Sequence, residues 1–428
     1  MDTEIAIIGA GPYGLSLAAH LRGKGLNFRV FGSPMSFWKD NVPADVPLKA
    51  EGFALNLFEP ERRFTLERFC RTRGYAYARM GVPVPASVFR EYGEAFQKTC
   101  APEVYPFKVT HLSGSEGCFT LTLENGRVVR AARVVLAVGI GHFAYMPPAV
   151  AHLPGKKVSH TFNTVSFGQF RGQRVAVIGA GSSAVDTAYF LHKAAADVAL
   201  YARRSKIWIN NPPQDIRGLK RLVRSIKKPR SGLGTGWRSR LACDFPDVFH
   251  LLPARLRLLI TKKHLGPAAS WFTGQTVREE VPMHLNTTLE SATDTEDGLR
   301  LEFRNTLTGE LQSVRADHLF TGTGARIDLA RIPFLDKALL AAIRTEDHMP
   351  VLSGGFESSV PGLYFIGPTA AGSFGPLLRF AWGARFAARR LTRRLARATA
   401  RGQHVRAAGG HTGGKPGDAA TGTECFAS

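Results

Sequence analysis

The chain has 428 residues, 44% of them hydrophobic and 21% charged, which suits a globular protein of two or three domains. It contains no apolar run of the roughly 18 residues that a membrane span needs, and its acidic N-terminus predicts neither a signal nor a transit peptide. The net charge of +22 predicts an anionic partner or a solvated basic face; nucleic acid is least favoured, because no binding module accompanies the charge.

The first 32 residues predict a dinucleotide-binding fold. Strands are expected over Glu4–Ile8 and Asn27–Phe31, with a helix over Leu15–Gly23 between them. Gly32 stands where an acid would hold the ribose of a bound adenosine, so either another group binds that hydroxyl or the site departs from the usual pattern. The turn has the G-x-G-x-x-G pattern of a diphosphate-binding loop, formed by Gly9, Gly11 and Gly14.

The next hundred residues are expected to complete the first part of an FAD-binding domain, residues 1–150. An irregular stretch over 39–86 is of the kind that lies over a flavin ring, and Val88–Thr99 predicts an amphipathic helix. Two alternating runs between Val104 and Val129 predict a small antiparallel sheet. A buried strand over Arg133–Gly141 ends in glycines, and Gly139 is expected to approach the flavin diphosphate.

A second dinucleotide fold follows, in an NADP-binding domain over residues 151–324. A strand over Arg174–Ile178 and a helix over Ser182–His192 precede a second strand over Val198–Tyr201. That strand ends in Ala202 and two arginines, and positive charge without an acid favours the 2′-phosphate of NADP over the free hydroxyl of NAD. The residues expected to bind NADP are Gly179, Gly181 and Ala184, which form G-x-G-x-x-A, together with Arg203 and Arg204.

The rest of the chain carries most of the charge. Residues 203–263 hold sixteen Lys and Arg against three Asp, and residues 379–401 hold eight Arg and no acid. A basic, mainly helical insert is expected over 205–271, with an amphipathic helix from Ile216 to Ile226 that either docks on the domain or lies on a membrane. The tryptophans of this insert, which are expected to pack rather than to stack on bases, are Trp208, Trp237 and Trp271.

Two later passages are expected to bind cofactor through glycines. Gly322 follows a strand near His318 that returns the chain to the first domain, and Gly367 follows a buried strand over Gly362–Gly367. After it, a glycine-rich turn is expected to set a helix N-terminus against the flavin. The second part of the FAD domain then covers 325–398, and residues 399–428 are expected to form a disordered tail.

Together these patterns predict an α/β protein with two Rossmann-like domains, the second inserted in the first. Two dinucleotide folds imply two dinucleotides, and the usual pair is FAD and NADPH. The five cysteines (70, 100, 118, 243 and 425) are scattered and form no C-x-x-C, which argues against a disulfide framework, a zinc site and a dithiol-relay reductase. A reduced, cytoplasmic setting fits this pattern.

From residue 4 to about 395 the chain resembles the class B flavin-dependent monooxygenases, which include flavin-containing monooxygenases, Baeyer–Villiger monooxygenases and amine N-hydroxylases. The resemblance rests on both glycine motifs and on two further passages. One is the linker with Gly155 and His160-Thr161, where the spacing is Gly-x4-His rather than Gly-x3-His. The other is Phe320-Thr321-Gly322, which is similar to the family's Ala-Thr-Gly-Tyr segment.

The resemblance implies NADPH-dependent oxygenation of a heteroatom or carbonyl of a small molecule by O2, through a C4a-(hydro)peroxyflavin, with N-hydroxylation preferred. It also implies two catalytic candidates and no metal: His160, which would couple domain movement to flavin chemistry, and Asn56, which would lie near the flavin. Either residue has an ordinary alternative, as a packed linker histidine and as a turn-forming asparagine.

Two other functions stay open from the sequence. One is an NADPH-dependent flavin reductase or dehydrogenase that passes its electrons on without oxygenation. The other is a non-catalytic flavoprotein that binds an acidic carrier or an anionic membrane through its basic insert, and the missing ribose acid at Gly32 is its one support.

Overall fold

The structure is a computed structural model that describes residues 2–115, 117–164, 166–211, 226–264 and 268–409. It contains two domains, each built on a largely parallel β-sheet, and the chain enters the second domain from the first and then returns. This confirms the predicted fold class. The helix predicted from Ile216 to Ile226 lies almost wholly outside the described residues.

The first 150 residues form most of the larger domain, which we call the FAD-side domain. The elements, in chain order, are β1 Asp2–Ile8, α1 Pro12–Arg22, β2 Phe28–Phe31, α2 Ser36–Asp40, β3 Pro47–Leu48, α3 Leu66–Arg73, β4 Val84–Pro85, α4 Ala86–Cys100, β5 Val104–Tyr105, β6 Val109–Ser115, β7 Cys118–Leu123 and β8 Val128–Leu136. Strand β1 lies between β2 and β8 and is parallel to both, with Ile8 aligned with Phe31 and Leu136. The three strand ends therefore meet beside the first glycine loop.

The small antiparallel sheet predicted between Val104 and Val129 is part of the large sheet, because strand β8 belongs to both. Its first half pairs antiparallel with β7, and its second half pairs parallel with β1. One uninterrupted strand thus joins the β6–β7 hairpin to the parallel sheet, and the sequence between Val128 and Leu136 has no turn residue that would divide it.

Residues 158–321 contain the second domain, which we call the NADP-side domain. The elements are β9 Val158–His160, β10 Arg174–Ile178, α5 Ser182–Lys193, β11 Asp197–Ala202, β12 Arg230–Ser231, β13 Gly234–Thr235, α6 Trp237–Asp244, α7 Pro246–Leu251, α8 Ala254–Lys263, α9 Trp271–Glu280, β14 Met283–Leu285, β15 Thr287–Thr295, β16 Gly298–Asn305, β17 Leu311–Ala316 and β18 His318–Thr321. The parallel sheet has the order β14-β11-β10-β18-β9. The antiparallel sheet β15–β17 covers one of its faces, where Tyr201 stacks on Phe303 with ring centroids 4.0 Å apart.

The chain then returns to the FAD-side domain. The elements are α10 Lys337–Ala342, β19 Thr345–Glu346, β20 Met349–Pro350, β21 Leu363–Phe365, α11 Ala371–Phe374 and α12 Ala384–Gly409. Strand β21 joins the large sheet by pairing with β8, and α12 packs along α1. Helix α12 continues to Gly409, beyond residue 399 where the sequence predicts a tail, and residues 410–428 lie outside the described range.

Candidate functional site

The first glycine loop has the shape of a diphosphate cradle. A Cβ atom on Gly9 would lie 2.4 Å from the carbonyl oxygen of Ala137, and one on Gly14 would lie 1.9 Å from that of Gly9, so neither position accepts a side chain. At Gly11, by contrast, a Cβ would meet nothing within 4 Å. Helix α1 begins there without a side-chain cap, which leaves its first amides to bind an anion. These residues fit the diphosphate of FAD.

Two glycines that follow strands of the FAD-side domain, Gly139 and Gly32, adopt positive φ. Gly139 follows β8 at φ +64°, with open space where a side chain would be. Gly32 follows β2 at φ +119°, and its missing side chain would lie 3.8 Å from the amide nitrogen of Ala10. An acid at residue 32 would therefore reach over the glycine loop, and the glycine leaves that space open.

Gly367 belongs to a second layer behind the loop. It has φ +82° and lies against the ring of Tyr13, 3.4 Å from an ideal Cβ, so the aromatic ring fills the space that a side chain would take. The buried Tyr13 hydroxyl bonds the carbonyl of Leu378 at 2.8 Å, and burial holds the pKa of this phenol well above its usual value. The loop that follows Gly367 contains short helical turns rather than the single helix expected from the sequence, and the long helix begins only at Ala384.

The second glycine loop is built on close packing between two strands and helix α5. An ideal Cβ on Gly179 would lie 2.4 Å from the carbonyl oxygen of Gly322 and 2.8 Å from the Cβ of Ala184. A Cβ on Gly322 would lie 2.5 Å from the Cβ of Ala184. Each of the three residues must be small because the other two are present. Gly181 then begins α5 without a side-chain cap, which fits a second diphosphate.

The tip of β11 gathers positive charge around a cavity. Arg203 and Arg204 directly follow the strand and are exposed. Beside them lies a cavity of about 290 Å³, lined by Lys206 and Arg278 and by apolar side chains that include Met283. Lys206 follows the predicted arginines directly, whereas Arg278 lies on α9, so the sequence offered no signal for it. Four cations at the end of β11 fit a phosphate-bearing nucleotide better than one with a free ribose.

A crevice between the domains lies near both glycine loops. It has a volume of about 140 Å³, close to the size of a cavity that holds one benzene ring, and Ile140, Ser183 and Asp186 are among its lining residues. Four of its lining side chains are aromatic: Phe37, Phe162, Phe167 and Phe190. Its phenylalanines are available to pack against a flat ring from either nucleotide.

An ion pair between an exposed lysine and a buried aspartate joins the domains beside this crevice. The Nζ of Lys49, from the FAD-side domain, lies 3.3 Å from Oδ2 of Asp186 on α5. The other carboxylate oxygen accepts a hydrogen bond from the Thr273 hydroxyl at 2.7 Å. Burial lowers the pKa of Lys49, and the neighbouring Asp186 opposes that shift. The sequence did not single out either residue, because their partnership depends on how two distant segments meet.

His160, at the end of β9, is held on both sides by backbone. Its Nδ1 accepts the amide hydrogen of Phe162 at 3.1 Å, and its Nε2 lies 3.2 Å from the carbonyl oxygen of Gly324. The ring is therefore assigned as the neutral tautomer with hydrogen on Nε2. Burial lowers its pKa to about 4. His160 thus ties the linker between the domains to the start of the returning segment.

Asn56 also has local partners. Its amide nitrogen donates to the carbonyl of Phe53 at 2.9 Å, and its carbonyl oxygen accepts from the amide of Leu66 at 2.8 Å. The side chain thereby connects the irregular 52–58 segment to the start of α3. A direct contact between Asn56 and flavin stays a prediction.

The family model and the relatives that match this chain are oxidoreductases. Residues 91–224 match the family model described as pyridine nucleotide-disulphide oxidoreductase. A ferredoxin–NADP reductase of Rickettsia prowazekii is 24% identical over 288 residues, 63% of this chain and 77% of that protein. One from Thermus thermophilus is 28% identical over 213 residues, and the match spans about half of its length, 53%.

Solved structures extend the likeness to almost the whole chain. The ornithine N-hydroxylase of Kutzneria sp. 744, solved with reduced FAD, NADP+ and L-ornithine, has a TM-score of 0.75, 16% identity and coverage of 93% of this chain and 100% of that one. The bacillithiol disulfide reductase of Staphylococcus aureus has a TM-score of 0.62, 17% identity and coverage of 92% and 98%. The fold is therefore that of flavoenzymes with two dinucleotide domains, as predicted, and the predicted cofactor pair and oxidoreductase class agree with these matches.

None of the described helices is long and apolar enough to cross a membrane. Within the same residues, no group of three or more His, Cys, Asp or Glu side chains is arranged to hold a metal ion.

Proposed function

We propose that the protein is an NADPH-dependent FAD monooxygenase that oxygenates a heteroatom or carbonyl of a small molecule, with N-hydroxylation of an amine as the preferred reaction. The observation that carries this proposal is the crevice between the two domains, with four phenylalanines in its lining. An oxygenating flavin needs a site from which water is excluded, because water would divert the activated oxygen.

The residues have separate tasks in this proposal. Gly9, Gly11, Gly14 and Gly139 would hold FAD. Gly179, Gly181, Ala184, Arg203 and Arg204 would hold NADPH. When bound, the flavin supplies the redox chemistry: it takes hydride from NADPH and lets O2 react. The protein orients the two nucleotides and keeps the crevice dry.

His160 would act through position and not as an acid. With its pKa lowered to about 4, the ring is neutral at pH 7, and both nitrogens are already bonded to backbone. Its proposed role is to set the path of the linker while the NADP-side domain moves. The Lys49–Asp186 pair would hold α5 against the FAD-side domain when the crevice is closed.

The direct test of this function is isotope incorporation. The purified flavoprotein would receive NADPH, 18O2 and one small amine at a time, beginning with ornithine and cadaverine, which are named for similar solved enzymes. We expect one amine to accelerate NADPH oxidation and to gain one 18O atom by mass spectrometry. NADPH oxidation that no amine, sulfide or ketone accelerates, with label only in peroxide and water, would contradict it.

A reductase is the second candidate, favoured by the ferredoxin–NADP reductases among the relatives. It would pass electrons from the same flavin to an acceptor protein and would need no dry crevice. Burial raises the pKa of Cys70, Cys100 and Cys243 and keeps these thiols protonated, which disfavours a dithiol relay formed by these three cysteines. Rapid NADPH-dependent reduction of a ferredoxin would favour the reductase.

The third candidate is a non-catalytic flavoprotein that binds a partner through its basic insert. Its support is Gly32, which leaves the usual ribose position without an acid. Purified protein that holds no flavin, or holds flavin that NADPH cannot reduce, would favour it.

A further inference from the structure

Helices α6 and α7 are apolar on two opposite faces. The inner face is buried against the FAD-side domain through Ala242, Cys243 and Phe249, and the Phe249 ring lies 3.0 Å from an ideal Cβ on Gly375. An outer stripe of apolar side chains, on the two helices and at Phe245 where they meet, is exposed to solvent. The outer stripe consists of Trp237, Leu241, Phe245, Val248 and Leu251, which are 54%, 53%, 51%, 57% and 82% exposed.

The exposure is concentrated in this part of the chain. Thirteen large hydrophobic side chains are exposed among the described residues, and eight of them lie between Ile226 and Leu259. Scattered apolar side chains are normal on a protein surface, but a contiguous stripe marks an interaction site. Leu256 and Leu259 continue the exposed apolar surface onto α8. A docked domain helix needs one apolar face, so the second face calls for another partner.

The charges around the outer stripe select the kind of partner. The exposed cations of α6–α8 are Arg238, Arg240, Arg255, Lys262 and Lys263, of which Arg240 and Lys262 are paired with acids of the chain. The two acids of this segment are already neutralised within the chain: Asp244 lies 3.3 Å from Arg240, and Asp247 pairs with Arg390 of α12. The surface therefore presents apolar side chains within a positive field, and an anionic partner complements both features.

We propose that the outer stripe binds peripherally to an anionic lipid bilayer. Tryptophan, phenylalanine and leucine flanked by Lys and Arg are the composition of helices that lie in the interface of a membrane. A second copy of this chain would bring another net charge of +22 against the same surface, which opposes self-association. Helices α6–α8 have eight, six and ten residues, so they lie on the bilayer instead of spanning it.

The bound orientation would leave helices α6–α8 between the bilayer and the loop that follows Gly367. The Thr261 hydroxyl of α8 donates to the carbonyl of Ala371 at 3.2 Å, and Arg379 donates to the carbonyl of Thr261 at 3.1 Å. His250 of α7 stacks on Phe374, with ring centroids 4.7 Å apart. Helices α7 and α8 thus pack directly on this loop.

The proposal is tested by flotation of the full-length flavoprotein with vesicles. Vesicles of phosphatidylcholine alone would be compared with vesicles containing one quarter phosphatidylglycerol, at low and at physiological salt. We expect binding to the anionic vesicles only, weakened by salt, and reduced about fivefold for each of Arg238→Gln and Arg255→Gln. The double variant Phe245→Ser/Leu251→Ser should lose at least tenfold.

A matched control replaces two exposed leucines outside the stripe, Leu307→Ser/Leu311→Ser, which are 76% and 56% exposed. This control should bind as the unchanged protein does, and NADPH reduction of the flavin should be the same in all variants. Absence of binding to anionic vesicles at low salt would overturn the proposal. So would equal binding by both double variants, or a dimer in light scattering that Phe245→Ser/Leu251→Ser dissociates.

Discussion

At the scale of single residues, selectivity between NADPH and NADH rests on the charges after β11. Replacing Arg203 by alanine should raise the NADPH concentration that half-saturates anaerobic flavin reduction by about 10- to 100-fold, because a charge-assisted bond to phosphate is lost. The value for NADH should stay unchanged. The control is Arg71→Ala, because Arg71 is exposed on α3 and distant in the chain from Arg203. Equal losses with both nucleotides would mean that Arg203 does not contact the 2′-phosphate.

The second glycine loop gives a prediction that separates the two cofactors. In Gly179→Ala the new methyl would collide with the carbonyl of Gly322 and with Ala184, at a φ of +147° that alanine avoids. We expect weaker NADPH reduction, and unfolding easier by about 1–3 kcal/mol, with FAD retained. The control is Gly172→Ala, which shares a positive φ of +71° in the same domain but has open space around it. If NADPH reduces the flavin equally fast in both variants, close packing at this loop does not matter for NADPH binding.

The two glycine loops and the arginines at a strand end could be placed from the sequence because their position is local, at a turn, a helix start or the end of a strand; their contacts with cofactor stay predictions. The partners of other residues could not. The Lys49–Asp186 pair and the place of Arg278 depend on segments that are distant in the chain. The backbone partners of His160 and Asn56 were equally invisible, and they favour the ordinary roles that the sequence had left open. Trp208 and Trp237, expected to pack, are instead more than half exposed.

At the scale of elements, His160 at the end of β9 makes the free energy of unfolding depend on pH. The unfolded chain binds a proton on His160 near pH 6.5, whereas in the folded chain the pKa is about 4. Stability contributed by this site is therefore complete above pH 6.5 and is lost as the pH falls toward 4. In His160→Gln we expect the loss of unfolding free energy between pH 6.5 and 4.5 to become shallower, by up to about 1.4 kcal/mol per pH unit.

Denaturant unfolding at several pH values measures this slope. His318, whose pKa burial also lowers to about 4, keeps part of the slope in the variant. The exposed His111 provides the control His111→Gln, which should leave the slope unaltered. Parallel curves for the His160 variant and the unchanged protein would show that the ring is not buried in its neutral form.

Element boundaries were predicted well where one period dominates. Helix α5 was expected over Ser182–His192 and covers Ser182–Lys193, and β11 extends the predicted strand by one residue at each end. The prediction was less accurate after Gly367, where short helical turns precede α12. Glycine, alanine and proline in this stretch satisfy neither a helical nor a strand period, so tertiary contacts with Tyr13 decide its path.

At the scale of the whole molecule, the arrangement of the two domains carries the functional conclusion. Segments of both domains line one crevice that includes four phenylalanines, and the Lys49–Asp186 ion pair joins the domains beside it. The same fold supports oxygenases and reductases, so fold alone does not decide between them. Oxygenases and reductases differ in how long the species formed from reduced flavin and O2 persists in that crevice.

The most direct measurement is therefore stopped-flow absorbance of the NADPH-reduced protein mixed with O2. We predict a transient spectrum that belongs to neither reduced nor oxidised flavin, with a lifetime that exceeds the mixing time when no substrate is present. The contrary result is direct return of the oxidised spectrum, with one peroxide formed per flavin whether or not an amine such as ornithine or cadaverine is present. That result would contradict the monooxygenase account and favour a reductase.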